Sequence, residues 1–161
     1  MDGISPEQLE RWREQSGLSL DRDGRFRHEG TLIEHPRVEA ALRRGLGRSP
    51  DGRPTVTFGR TWAYLAVEDV LYRVVHARCE AEGPRLAACG LTLDDRREEP
   101  LGLGPGTVAL DGEGVLYLRL ERGEWARCLP QPHAALGAFV EERAGQRVLV
   151  TLHGHLPIEP R

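Results

Sequence analysis

Two hydrophobic spacings alternate along this chain. Leu18 and Leu20 alternate with polar residues, and Phe26 points the same way after Asp21-Arg22-Asp23-Gly24. The period of two, broken by Asx and Gly turn chemistry, predicts a hairpin. Glu29-Gly30 turns the chain again into Thr31-Leu32-Ile33. The spacing then changes: after Pro36, Val38, Ala41 and Leu42 recur at i, i+3 and i+4, predicting a short amphipathic helix ended by Gly45 or Gly47. Residues 48–54 read as a loop. Thr55–Phe58 and Thr61–Ala66 read as a second hairpin about Gly59-Arg60, and Val67-Glu68-Asp69 as a junction. Ahead of all this, Ser5, Pro6 and Gln8 form a capping-box start for a helix over 5–15. Leu9 and Trp12 are its apolar stripe, through which it is expected to dock.

The second half is richer in strands. Residues 71–80 alternate with mixed faces, so this strand is expected to be covered on both sides. A strand at 85–93 follows the Gly83-Pro84 turn, and 93–106 reads as a charged, then Gly/Pro-rich loop. Leu116, Leu118 and Leu120 point one way while Tyr117, Arg119 and Glu121 point the other. Arg122-Gly123 turns into 124–129. Pro130-Gln131-Pro132 starts a helix with Leu136, Phe139 and Val140 on one face and Gly145 at its end, and 147–152 is a strand. Residues 18–66 and 116–158 therefore run through similar elements and suggest a degraded internal repeat of a ββαββ unit. The expected organisation is an N-terminal helix (1–17), a first lobe (18–70) and a second lobe (71–161) that contains linking strands and the repeat. The fold class is α+β: two similar lobes, each a curved antiparallel sheet packed around one helix.

Composition narrows the function. The chain has 161 residues and a formal net charge of −3, enough to bury a core without staples. It lacks the basic excess of a nucleic-acid binder. Lys and Asn are absent, which reads as coding bias. Cys79, Cys89 and Cys128 are odd in number, lack CxxC spacing, and read as buried thiols in a reducing cytosol. The N-terminus is polar and no apolar run approaches membrane-spanning length, so a cytoplasmic location without membrane or nucleic-acid partners is expected.

Each candidate chemistry competes with a structural role. Asp21-x-Asp23-Gly24 opens like a calcium loop, but the fifth and twelfth positions are Arg25 and Leu32, so it reads as a turn. His153-x-His155 would share one face of a strand, and with His133 could hold a metal for a hydrolase. His28-Glu29 and Glu34-His35 could form an acid/base cluster but read as strand and pre-proline residues. No nucleophile elbow or phosphate loop is present, and Gly102-x-Gly104-x-Gly106 lacks a following helix pattern. Glu68-Asp69 and Asp94-Asp95 end strands near the junction between lobes. With Arg60, Trp62, Tyr64 and Arg119 they are the candidate ligand-binding residues of a cleft. No catalytic residue and no cofactor is assigned.

Four blocks carry a family resemblance: LDRDGRFRHEGTLIEHPRV, AYLAVEDV, LTLDDRREEPL and YLRLERGEWARCLPQPHAALGAFVE. In this order they resemble the bacterial domain-of-unknown-function family 1285, the DGxxxHEGxxI spacing most specifically. The chain departs from the family pattern at Val70-Leu71-Tyr72, where Ala-Pro-Phe is expected, and at 91–93, where an Asn is expected before the acidic pair. The resemblance implies two similar half-barrel lobes and a role in signalling or ligand sensing. The function expected is thus a non-enzymatic module binding a small molecule or a protein. The alternatives are the metal-dependent hydrolase and a structural module of an obligate oligomer, such as a homodimer.

Overall fold

The structure, a computed structural model, describes residues 3–161. The chain divides into two compact units, Met1–Leu71 and Tyr72–Arg161. The first contains α1 (Pro6–Glu14), β1 (Leu18–Leu20), β2 (Phe26–His28), β3 (Thr31–Leu32), α2 (Pro36–Arg44), β4 (Leu46–Arg48), β5 (Pro54–Phe58), β6 (Thr61–Tyr64) and β7 (Ala66–Val67). One of its sheets has the order β3-β2-β1-β7, the other β4-β5-β6. Leu20, Phe26, Leu42 and Val56 are its buried centre. Leu42 comes from the α2 stripe. Arg43, one residue on, holds α2 to the first hairpin by donating to the Gly24 carbonyl at 2.7 Å with its guanidinium 5.1 Å from the Phe26 ring.

The capping box of α1 is present: Ser5 accepts from the Gln8 amide and the Gln8 side chain accepts from the Ser5 amide. Its docking face differs from the expected one. Leu9 is 39% and Trp12 58% exposed. The helix instead rests on polar contacts: Glu10 accepts from the Tyr64 hydroxyl at 2.6 Å, Arg13 lies 4.0 Å over the Trp62 ring, and Glu14 pairs with Arg53. A hydrogen bond to a carboxylate and a cation over an aromatic face can hold a short helix without an apolar stripe.

The second unit contains β8 (Tyr72–Glu82), β9 (Arg85–Leu93), β10 (Glu98–Pro100), β11 (Val108–Leu110), β12 (Leu116–Arg119), β13 (Trp125–Cys128), α3 (Pro130–Gly137), β14 (Val140–Arg143), β15 (Gln146–Thr151), β16 (Gly154–Pro157) and β17 (Glu159–Pro160). Its curled sheet runs β14-β15-β9-β8-β13-β12-β11-β17, with β10 added to β9 and β16 to β15. Tyr72, Arg73 and Val74 are all buried, so β8 is covered on both sides where it begins. A register shift between Val74 and His76 then restores alternation. Tyr117 is buried as well, against the outward position its alternation predicts. Arg127 donates to its hydroxyl at 2.8 Å and the Arg161 guanidinium lies 4.4 Å over its ring.

Helix α3 is shorter than its apolar face implies. It stops at Gly137, and Val140 opens β14 instead of closing the helix. Its Gln131 completes the sheet. The side-chain amide accepts from the Ala77 N–H at 2.8 Å and donates to the Ala77 carbonyl at 3.0 Å, so a side chain stands in for a neighbouring strand where β13 ends. Gln131→Ala strands both backbone groups. We expect a loss of about 1–3 kcal/mol, read as a lower urea midpoint with an unchanged slope.

The turns at Asp21, Ser49, Leu93, Asp111 and Leu120 share one construction. In each, the residue accepts from the amide three positions on and donates to the carbonyl four positions on. The third position has positive φ and is Gly24, Gly52, Arg96, Gly114 or Gly123. This is the three-residue hairpin loop with a left-handed residue, and it disposes of the calcium-loop reading. The Asp21 carboxylate accepts from the Asp23 and Arg25 amides and pairs with Arg25 and Arg27. Burial raises its pKa, but the Arg25 amide bond, the Arg25 charge and the Arg27 contact outweigh it, and the carboxyl sits below its ordinary value. A depressed carboxyl contributes stability that is present above the unfolded pKa and lost as pH falls through the folded one. Stability is therefore expected to decline below roughly pH 4. Asp21→Asn should flatten that part of the pH–stability curve measured by chemical denaturation.

Candidate functional site

The first unit holds an apolar cavity of ≈ 460 Å³ beneath α2. Three features of the sequence create it. Val38 and Leu42, four residues apart on α2, line one wall. Val56 and Phe58 on β5 line another, and their cross-strand partners Ala63 and Thr61 share that sheet face. Leu18, His28 and Ile33, from the hairpin and the end of β3, line a third. Ala63 is small where its partner Val56 is fully buried, so the β5–β6 face leaves room that α2 does not fill.

Polar groups are few. Thr61 donates its hydroxyl to the Phe58 carbonyl at 3.1 Å, leaving its oxygen free to accept. The exposed His28 is the titratable side chain on the wall, and Phe58, 47% exposed, marks the opening. A mostly apolar concavity of a few hundred Å³ with a couple of polar groups at its rim is the usual form of a small-molecule site.

The eight candidate ligand residues divide between the units. Arg60 sits in the exposed β5–β6 turn. Trp62 and Tyr64 pack edge to face with ring centroids 5.2 Å apart. Trp62 also borders the cavity, whereas Tyr64 is engaged by Glu10 and by Arg53, 3.5 Å over its ring. Glu68 accepts from the Arg22 amide at 2.9 Å, and the half-buried Asp69 follows it. In the second unit the Asp94 amide donates to the Arg73 carbonyl. Asp95 closes its turn by pairing with Arg97. Arg119 lies 4.5 Å over the Trp125 ring. Most of these side chains thus carry turn and packing contacts, and Trp62 is the member at the cavity.

The metal set is not assembled. Among the described residues no group of three or more His, Cys, Asp or Glu side chains could hold a metal ion. His133 lies in the first turn of α3, its ring 2.9 Å from the Gly114 carbonyl. His153 is in the β15–β16 turn and His155 is exposed on β16. Spacing of two put the latter two in neighbouring positions, but the turn between β15 and β16 separates their settings. No helix among the described residues is long and apolar enough to cross a membrane.

These features define an α+β protein with three helices among the described residues and a curled half-barrel sheet. No protein-family model and no curated protein matches the sequence. Among solved structures, the chain is similar to the crystal structure of a DUF1285 family protein from Silicibacter pomeroyi DSS-3. The TM-score is 0.70 at 18% identity, over 99% of this chain and 89% of that one. A DUF1285 family protein from Shewanella baltica OS155 is matched with a TM-score of 0.45 at 17% identity, over 71% of this chain and 85% of that one. The first of these matches shows that the chain has a DUF1285-like fold, in agreement with its sequence blocks.

Proposed function

We propose that this protein is a binding module whose first unit takes a small, predominantly apolar molecule with one anionic or hydrogen-bond-donating end. The observation that carries this reading is the ≈ 460 Å³ cavity walled by Leu18, Ile33, Val38, Leu42 and Val56. Apolar surface of this kind gains roughly 25 cal/mol for each Å² a ligand removes from water. The polar end would meet the His28 imidazole and the Thr61 oxygen at the rim. Filling the cavity would couple α2 to both sheets of the unit, which is the coupling a sensor needs.

Thermal unfolding with a series of straight-chain carboxylates tests this. A ligand at 100 times its Kd stabilises the folded state by about 2.7 kcal/mol. The melting temperature should rise with chain length until the cavity is full. A flat response across the series, from acetate to decanoate, would refute the reading.

A further inference from the structure

The β8–β9 hairpin holds two thiols face to face. Cys79 and Cys89 occupy directly opposite positions, their Sγ atoms 3.2 Å apart. A β-bulge creates this meeting. At the turn, Glu82 faces Arg85 and Ala81 faces Leu86. That register, continued unchanged, would set Cys79 against Ala88. The shift between Glu80 and Ala81 moves the pairing by one residue and sets Cys79 against Cys89 instead.

The type of pair matters. The Cys89 carbonyl accepts from the Leu101 amide at 2.8 Å, on the β10 side of its strand. A strand residue directs its N–H and C=O to the same edge, so the backbone groups of Cys89 turn away from β8. Cys79 and Cys89 are thus a non-hydrogen-bonded pair, in which Cα atoms approach to about 4.5 Å and side chains are closest. That separation lies within the range that disulfides span without backbone movement.

We propose that Cys79 and Cys89 are an oxidisable dithiol that closes a cross-strand disulfide on exposure to hydrogen peroxide. Cys79 is the attacking sulfur. It is half-exposed while Cys89 is buried. The Cys89 thiol hydrogen-bonds to it and lowers its pKa, and the same contact raises that of Cys89. The Cys79 thiolate attacks one peroxide oxygen, the O–O bond breaks, and the hydroxide released takes up a proton as water. The resulting sulfenic acid is then attacked by the Cys89 sulfur. The S–S bond forms as the S–O bond breaks, and the second oxygen leaves with the Cys89 proton as a second water. Two thiols and one peroxide give one disulfide and two waters. Cys128 stays outside the reaction, because burial pushes its thiol up to about 12.

Thiol titration of the unfolded protein before and after peroxide reads this directly. The count should fall from three per chain to one, and dithiothreitol should restore it. Trypsin should release fragments 79–85 and 86–96 as one linked species. The oxidised protein should melt on the order of 5 °C higher, since the bond closes a loop of the unfolded chain. Cys79→Ser should keep both remaining thiols, and Cys89→Ser should leave Cys79 as a sulfenic acid that dimedone traps. Three thiols surviving peroxide, a linkage that includes Cys128, or a disulfide between chains would each overturn the proposal.

Discussion

Gly45→Ala is expected to cost about 3 kcal/mol or more, the scale of a backbone collision that cannot relax. Gly45 closes α2, its amide donating to the carbonyls of Ala41 and Leu42. It crosses β5 so closely that its carbonyl accepts from the Thr57 amide at 2.9 Å. A Cβ at Gly45 would stand 1.9 Å from the Thr57 oxygen and 2.9 Å from the Thr57 carbonyl carbon. Both are main-chain atoms, so no side-chain rotation relieves the contact. Conformation is not the cause, since φ is −87° there and any residue can adopt it. Gly47 supplies the control: a Cβ at that position meets only the Thr55 hydroxyl oxygen, at 3.6 Å. In urea unfolding Gly47→Ala should stay within about 1 kcal/mol of the parent. Equal midpoints for the two variants would show that the α2–β5 crossing does not constrain the unit.

Ala63→Phe should weaken ligand binding while the unit stays folded. Ala63 shares its sheet face with Val56, Phe58 and Thr61 and opens onto the cavity. A phenyl ring there occupies the space between β6 and α2 that the ligand would take. The loss expected is at least about tenfold in Kd, or roughly 1.4 kcal/mol of binding free energy. Folding stability should change by less than about 1.5 kcal/mol, because the added ring fills empty volume without displacing packed atoms. Calorimetric titration of parent and variant with decanoate reads the first quantity, and urea unfolding reads the second. Undiminished affinity in a folded variant would move the site elsewhere.

What the sequence made legible was local. The capping box at Ser5, the Asp21 and Asp111 turns and the proline starts of α2 and α3 are each written in a few adjacent residues, because each satisfies its own backbone groups. β4 and β10 escaped notice for the opposite reason. Leu46-Gly47-Arg48 and Glu98-Glu99-Pro100 have little strand propensity and are strands because β5 and β9 offer them a ladder. Tyr117 misled because Arg127 of β13 and Arg161, just past β17, cover it. The α1 stripe misled because nine residues admit either face, and Tyr64 and Trp62 select the polar one.

The cavity was half legible. Leu18, Val38 and Leu42 were readable as core-facing positions, and Trp62 as a candidate contact, but a void depends on what fails to fill it. The signal was the small Ala63 among larger β-formers, which acquires meaning only once Val56 is known to be its partner. The thiol pair was hidden similarly. Both strands were legible, yet the turn alone sets Cys79 opposite Ala88, and the bulge that corrects this has no marker in the sequence.

Ligand occupancy beneath α2 of the first unit is the point on which the proposed function rests. Methyl NMR of the parent protein titrated with decanoate tests it most directly. Saturable shifts are expected, concentrated on the methyl groups of Leu18, Ile33, Val38, Leu42 and Val56, with those of the second unit unmoved. Shifts scattered over both units, or none at saturating decanoate, would contradict it.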